Sequence, residues 1–484
     1  MKRALLILML VMCGLTAAHA QFADTPKREY RAVWLTTIKG LDWPTHTATT
    51  AYGEEQQKAE LRHILDTLQA VGINTVLLQT RLRGDVIYPS LMEPFASVFT
   101  GHEGRRPSYD PLAFAIDECH RRGMQCHAWM VALQVKDNKY VDPSSAAVVD
   151  HLCSMVREVV RGYDVDGIHL DYIRYPEKTH GNESWRRDNI TRVMRAVYAT
   201  VKAEKPWVIV SAAPLGKYRD TRRYSSHGWN AWGTVFQEAQ EWTREGIVDA
   251  LFPMLYYKDQ HFYPFVDDWS ANAHGRHFAA GLGIYQLDRH EQNWPLSVIR
   301  QQICYTRSFD THTADGMTCG TGANGYALFR AGFICNNTKG LKDELRHLNA
   351  TPALVPALTW QRGENPDAPQ GVSVTLMADH IRISWAATDP HLHYNLYRSV
   401  GTPVRLDDAR HLCRTYLEGS SITLPRLRTS TPMAAQEEAS DTYYALTAID
   451  RYGRESRPVI WTDKTILPKP IDTRLRAVFH YDED

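Results

Sequence analysis

The hydrophobic positions of this chain follow two rhythms, and the change between them falls near residue 350. Before it, short apolar runs alternate with stretches whose apolar residues recur at helical spacing. The runs are Arg31–Thr37, Ile73–Thr80, Gln125–Leu133, Gly167–Tyr172, Val208–Ala213, Asp249–Tyr256, Phe278–Tyr285 and Gly325–Phe333. After the first of them, Leu61, Leu65 and Leu68 line one face of a helix over Glu55–Val71. Asp110 as N-cap, Pro111 at the first helical position and Gly123 as a stop bound another helix over Asp110–Arg122. Eight strand-then-helix units over residues 28–348 predict an α/β fold, a (β/α)8 TIM barrel. A doubly wound open sheet fits less well, because no glycine-rich phosphate loop follows the first strand.

After the change, Pro352, Pro356, Pro366 and Pro369 mark a linker over 349–368. Beyond it, Ile381–Trp385, Tyr394–Tyr397 and Tyr443–Ile449 alternate with period two and are separated by turn residues. This pattern predicts an all-β sandwich over 369–466, followed by a tail over 467–484. The stretch resembles a fibronectin type III domain, with Trp385 as its buried early Trp and Tyr444 on its penultimate strand.

Residues 1–20 read as a signal peptide. Lys2 and Arg3 precede the apolar Ala4–Val11, and Ala18-His19-Ala20 fits a cleavage site after Ala20. The expected destination is the periplasm or the medium. No run approaches the roughly 20 apolar residues that cross a bilayer, so no membrane span is expected. Lys plus Arg (55) equals Asp plus Glu (55), which leaves no net field to recruit nucleic acid. The seven cysteines after the leader are an odd number without a C-x-x-C pair, unlike a disulfide framework or a zinc knuckle. One pairing among Cys304, Cys319 and Cys335 stays open. No metal or cofactor is expected. Thirteen Trp and twenty-four Tyr are enough to fill cores and still leave platforms for sugar rings.

Barrel enzymes build their sites where strands end, and the fourth run, Gly167-Ile-His-Leu-Asp171-Tyr, ends in a carboxylate. Alternation turns His169 and Asp171 to one face and Ile168 and Leu170 to the other, so the polar pair points inward. A carboxylate there needs partners or a task. Arg174 follows it closely, and a structural ion pair with Arg174 or Arg81 is the plainer reading. The same parity turns Gln79 and Arg81 inward on strand two, with Asp85 in the loop above, and His127 and Trp129 inward on strand three. Tyr256 and Asp259 follow strand six, and Tyr285 ends strand seven after two glycines that let a ligand approach the backbone. Carboxylates and aromatics at one rim suit glycoside hydrolysis, which uses one acid to protonate the leaving oxygen and another to attack or activate water.

Several linked motifs then become recognisable: Arg31-Ala-Val-Trp34 with Leu41-Asp-Trp-Pro44, Gln79-Thr-Arg81-Leu-Arg-Gly-Asp85, Tyr109-Asp-Pro-Leu112, His127-Ala-Trp129, and Asp164-Val-Asp166-Gly-Ile-His-Leu-Asp171. Together they resemble the glycosyl-hydrolase-like family 10. The resemblance implies a glycosidase of the bacterial envelope acting on an amino-sugar polysaccharide, such as peptidoglycan glycan strands stripped of peptide. It also implies Asp171 as the nucleophile or stabiliser. Chitinase-type enzymes carry D-G-x-D-x-D-x-E here, whereas this chain has His169 and Ile173 at the third and last of those positions. The proton donor is then sought elsewhere, with Asp85, Glu177 and Asp259 as candidates in that order. Gln79, Arg81, His127, Trp129, His169, Arg174, Tyr256, Asp259 and Tyr285 are the expected substrate-binding side chains. Arg81 in particular could grip the lactyl carboxylate of N-acetylmuramic acid. A non-catalytic glycan-binding protein on a degenerate barrel is the competing reading.

Overall fold

Alternation along the strands decides which side chains fill the middle of the molecule. The computed structural model describes residues 25–307, 323–377, 379–387, 389–425 and 441–462, so the stretches expected to be a leader (1–20) and a tail (467–484) lie outside the described residues. In the first strand, β1 (Tyr30–Leu35), Tyr30, Ala32 and Trp34 face an interior cluster while Val33 and Leu35 face the helices. The same division recurs in β2 (Thr75–Arg81), β3 (Gln125–Val131), β4 (Gly167–Asp171), β5 (Ile209–Ala212) and β6 (Ala250–Leu251). Strand β7 is two short segments, His277–Phe278 and Ala280–Leu282, and β8 is Gly325–Phe329. All pair in parallel. The first segment of β7 pairs with β6, the second pairs with β8, and β8 pairs with β1, so the sheet closes on itself.

Each strand is followed by a helix on the outside: α1 (Ala51–Ala70), α2 (Pro111–His120), α3 (Ala146–Gly162), α4 (Glu183–Glu204), α5 (Ala239–Glu245), α6 (Tyr263–Ala271), α7 (Leu296–Arg307) and α8 (Leu341–Leu348). Helix α2 starts as its sequence requires. The Asp110 carboxylate accepts from the amides of Leu112 (3.0 Å) and Ala113 (3.1 Å), Pro111 occupies the first turn, and Gly123 takes the left-handed turn beyond it. The sixth and eighth apolar runs outlast their strands. Pro253 has no amide to donate beyond Leu251, and the last run breaks into a short helix, Ala331–Cys335, after Phe329.

The C-terminal part forms two antiparallel sheets. One is β9 (Gln370–Leu376), β10 (His380–Ala386) and β13 (Ser421–Pro425). The other is β12 (Leu412–Leu417), β11 (His393–Val400), β14 (Thr442–Ile449) and β15 (Val459–Thr462). Between them Trp385 packs on Tyr394 (5.0 Å), and Tyr444 stacks on Trp461 (5.6 Å). The Pro-rich stretch is seated rather than loose. Leu354, Val355 and Leu358 are buried, and Leu354 exchanges backbone hydrogen bonds with Lys27 and Glu29 while Leu358 donates to Tyr452 (2.9 Å). Cys119, Cys126, Cys153, Cys304, Cys335 and Cys413 are free thiols, and Cys319 lies outside the described residues.

Candidate active site

Strand β4 delivers Asp171 to the mouth of the barrel, where it is 7% exposed. One carboxylate oxygen accepts from the Trp129 indole (3.2 Å) and the other from the Tyr172 amide (2.7 Å). That second bond depends on Tyr172 adopting a left-handed backbone, φ 51°, which folds its amide back over the strand end. Burial pushes the Asp171 carboxyl up, against the opposing pull of the Arg174 charge and the two donors. Asp171 lines an open cleft of about 330 Å³, together with Trp34, Trp129, Tyr172, Tyr256, Met254 and Phe329. Such a lining can hold a pyranose by stacking and leave the carboxylate facing its anomeric carbon.

Several expected residues meet at this cleft. Gln79 lines it, and its side-chain oxygen holds the Thr37 and Ile38 amides at 3.0 Å, fixing the loop after β1. Tyr256 lies beside Asp171, stacked on Phe329 (5.5 Å) with Tyr285 edge-on (5.7 Å). Burial keeps its phenol protonated.

Others do not reach it. His169 points inward as parity requires, but one layer deeper. The Trp34 indole donates to its Nε2 (3.0 Å), so its proton sits on Nδ1 and faces Ser211 Oγ (2.9 Å). Fully buried, it is held neutral. His127 lies lower still, bonded to Gln125 (3.0 Å), with burial pulling it down to about 4. Both are core histidines. Arg81 is spent on Glu93 through a two-pronged pair of 2.8 and 2.6 Å, and its remaining nitrogen donates to the Val131 and Ala132 carbonyls. The irregular register between Gln79 and Arg81 breaks the parity that would have turned it inward. Arg174 lies over the Tyr172 ring (4.6 Å) and pairs with Glu177 (3.0 Å) at the rim. Asp259 is exposed on a short turn, Asp259–His261, and does not line the cleft. Asp85 accepts from the Arg83 amide (3.1 Å), and burial raises its carboxyl.

The strand-seven glycines make room for their neighbours within the protein. A Cβ on Gly283 would lie 2.9 Å from the Tyr256 Cβ, and one on Gly281 would lie 3.2 Å from the Trp34 ring. Sequence reasoning passed over Arg83, Gln134, Tyr172 and Arg330, which also line the cleft. Arg330 is held there by Asp42, which also takes the Gly332 amide (2.8 Å) and both Thr36 donors. The conspicuous Asp42-Trp43-Pro44 motif was the available signal. No cluster of three or more potential metal ligands occurs among the described residues.

The glycosyl hydrolase-like 10 family model matches residues 29–141 and 182–274, both within the barrel. The chain is 26% identical over 500 residues to the glycosyl hydrolase YngK of Bacillus subtilis (strain 168), covering 89% of this chain and 92% of that one. It is 30% identical over 287 residues to the glycosyl hydrolase DigH of Escherichia coli (strain K12), covering 47% and 65% respectively. The glycoside hydrolase domain of PgaB (BpsB) from Bordetella bronchiseptica overlays with a TM-score of 0.48 at 11% identity, covering 66% of this chain and 99% of that one. By class the protein is a glycoside hydrolase. The family match and the two relatives support the glycosyl hydrolase-like 10 family for it.

Proposed function

We propose that the protein hydrolyses the glycan strands of peptide-free peptidoglycan, with Asp171 as the carboxylate at the reacting bond. The observation that carries this reading is a nearly buried Asp171, held by two donors, lining an aromatic cleft. Trp129 and the Tyr172 amide fix its oxygens, so the carboxylate faces the anomeric carbon without reorganising as positive charge develops there. Asp85 is the first candidate proton donor; it does not line the cleft with Asp171, so the role requires the loop after β2 to bring it to the scissile bond. A general acid must be protonated near working pH, and burial moves its carboxyl in that direction. Glu177, tied to Arg174, is the second candidate. A leader over residues 1–20 would deliver the chain to the periplasm, where this polymer lies. The barrel would span 28–348 and a fibronectin type III-like module 369–466, joined through 349–368.

The test is a digest of peptide-stripped glycan strands beside intact peptidoglycan and chitin oligomers, read by mass spectrometry with wild type and Asp171→Asn in parallel. Fragments from the stripped strands alone, missing with the variant, are expected. Equal cleavage of chitin would move the specificity to amino-sugar polymers generally, and no fragments from any of the three would overturn the reading.

A further inference from the structure

The Asp171 cleft holds a positive charge that the protein itself does not answer. Arg83 and Arg330 both line it, with Asp171 as the carboxylate among the lining residues. The other arginines near the mouth are already matched: Arg330 with Asp42, Arg81 with Glu93 and Arg174 with Glu177. Arg83 is not. Its Nη1 donates to the neutral Asn138 Oδ1 (3.1 Å), and no carboxylate among the described residues pairs with its guanidinium. Asn138 lies in the loop after β3, which is closed by the Val135 amide on the Lys139 carbonyl (2.8 Å) and the Val141 amide on the Leu133 carbonyl (2.9 Å). Gln134, in the same stretch, also lines the cleft. It is 5% exposed, and its side-chain oxygen is buried without a hydrogen-bond partner. A buried acceptor left unmet is costly, and turning this amide toward a ligand breaks no bond to that oxygen.

Strands β2 and β3 pair side by side, so the loops after them bring an unmatched guanidinium and an unmatched amide into one sector of the cleft. The aromatic lining of Trp34, Tyr256 and Phe329 comes instead from β1, the loop after β6 and β8. A guanidinium grips a carboxylate through two parallel N–H donors, and an amide NH2 can add another. We propose that Arg83 and Gln134 form a subsite that recognises a free carboxylate on the substrate sugar. This rests on the glycan-hydrolase reading of the Asp171 cleft and names the group that selects its substrate. A carboxylate entering beside Asp171 meets like charge, and Arg83 is the cation placed to offset it. In peptidoglycan the stem peptide is joined to the lactyl carboxyl as an amide, so a strand offers this carboxylate only after that amide is hydrolysed. The reaction that supplies the substrate is therefore an amide hydrolysis.

Peptide-stripped glycan fragments would be compared with the same fragments after conversion of their carboxylates to methylamides, and with hyaluronan fragments, whose carboxylate belongs to a uronic acid. Full-length wild type is expected to prefer the acid over the methylamide by about tenfold in kcat/KM, as one charge-assisted contact gives. Arg83→Gln should bring that ratio close to one, and Arg83→Lys should keep part of it. Gln134→Ala should lower it by about threefold. Thermal melts of the Arg83 variants should stay with wild type, since Arg83 has no ion pair to lose. A wild-type ratio of one, or a preference that survives Arg83→Gln, would overturn the subsite. Calorimetric binding to Asp171→Asn, with and without Arg83→Gln, reads the same preference without turnover. An acid preference that depends on Arg83 would support the subsite there even if wild type cleaved none of the fragments, and equal binding of acid and methylamide would sink it. Hyaluronan bound more tightly than stripped strands, again through Arg83, would support carboxylate recognition and assign its source to a uronic acid.

Discussion

Trp129 on β3 donates its indole N–H to Asp171 on the neighbouring β4 across 3.2 Å, so an aromatic wall of the cleft and its carboxylate are locked together by one bond. The arrangement sets the ring wall and the charge in register before substrate enters. It also confines a carboxylate where burial raises its pKa.

That confinement has a stability signature. A carboxyl whose folded pKa exceeds its unfolded value of 3.8 binds more protons when folded, so stability falls as pH rises from 3.8 through the raised value. Asp171→Asn is expected to lower turnover by about 10²–10⁴-fold while melting at or above wild type at neutral pH. The melting difference should close below pH 3.8, and calorimetry across pH checks it. A variant that melts far below wild type would make Asp171 a structural ion-pair member instead.

Arg81 should behave as a structural residue. Glu93 is nearly buried and accepts both prongs of its guanidinium, so Arg81→Ala leaves a carboxylate without its main partner. A loss of about 3–5 kcal/mol in denaturant unfolding is expected. Discrimination between glycans with and without a carboxylate substituent should be unaltered, which a comparison of their kcat/KM ratios in folded variant would reveal.

Gly283→Ala should disturb the cleft without touching it. The added methyl meets the Tyr256 Cβ at 2.9 Å and the Tyr285 ring at 3.1 Å, so one of the two side chains must give way. Overpacking of about 1–3 kcal/mol and a fall in kcat/KM are expected, measured by thermal melts and steady-state rates. Wild-type kinetics would show that Tyr256 has room to move.

At the opposite end of β4, Asp166 accepts from His120 (2.9 Å) and the Cys126 amide (2.8 Å), while Arg451 of the C-terminal sheets pairs with Asp164 beside it. Burial opposes both charges, but the pair outweighs it, moving His120 up to about 9 and Asp166 down to about 2. The His120 contribution is complete below 6.5 and lost as pH rises through 9, and that of Asp166 is complete above 3.8 and lost as pH falls through 2. Asp166→Asn should therefore cost most between pH 4 and 6.5, about 1–3 kcal/mol, and less above pH 9, where His120 has lost its charge. Unfolding curves at pH 6 and pH 10 decide it.

Much of the site was legible because it obeys local rules. Period-two alternation turned His169, Asp171 and Trp129 inward, and cap residues bounded α2, since both depend only on neighbouring backbone geometry. Alternation has no sense of height, however. It could not separate Asp171 at the mouth from His169 and His127 in the layers below, which differ only in how far up the barrel their strands have run.

The chain by itself determined the strand-and-helix order, the change of texture near residue 350 and the carboxylate that ends β4, because hydrophobic period and turn chemistry are written residue by residue. Only the tertiary structure decided that Arg81 belongs to Glu93, that the strand-seven glycines make room for Trp34 and Tyr256, and that Arg330 reaches the cleft through Asp42. Those outcomes hang on register shifts and on partners hundreds of residues apart, where the burial of one charge is settled by whichever opposite charge closure of the barrel brings beside it.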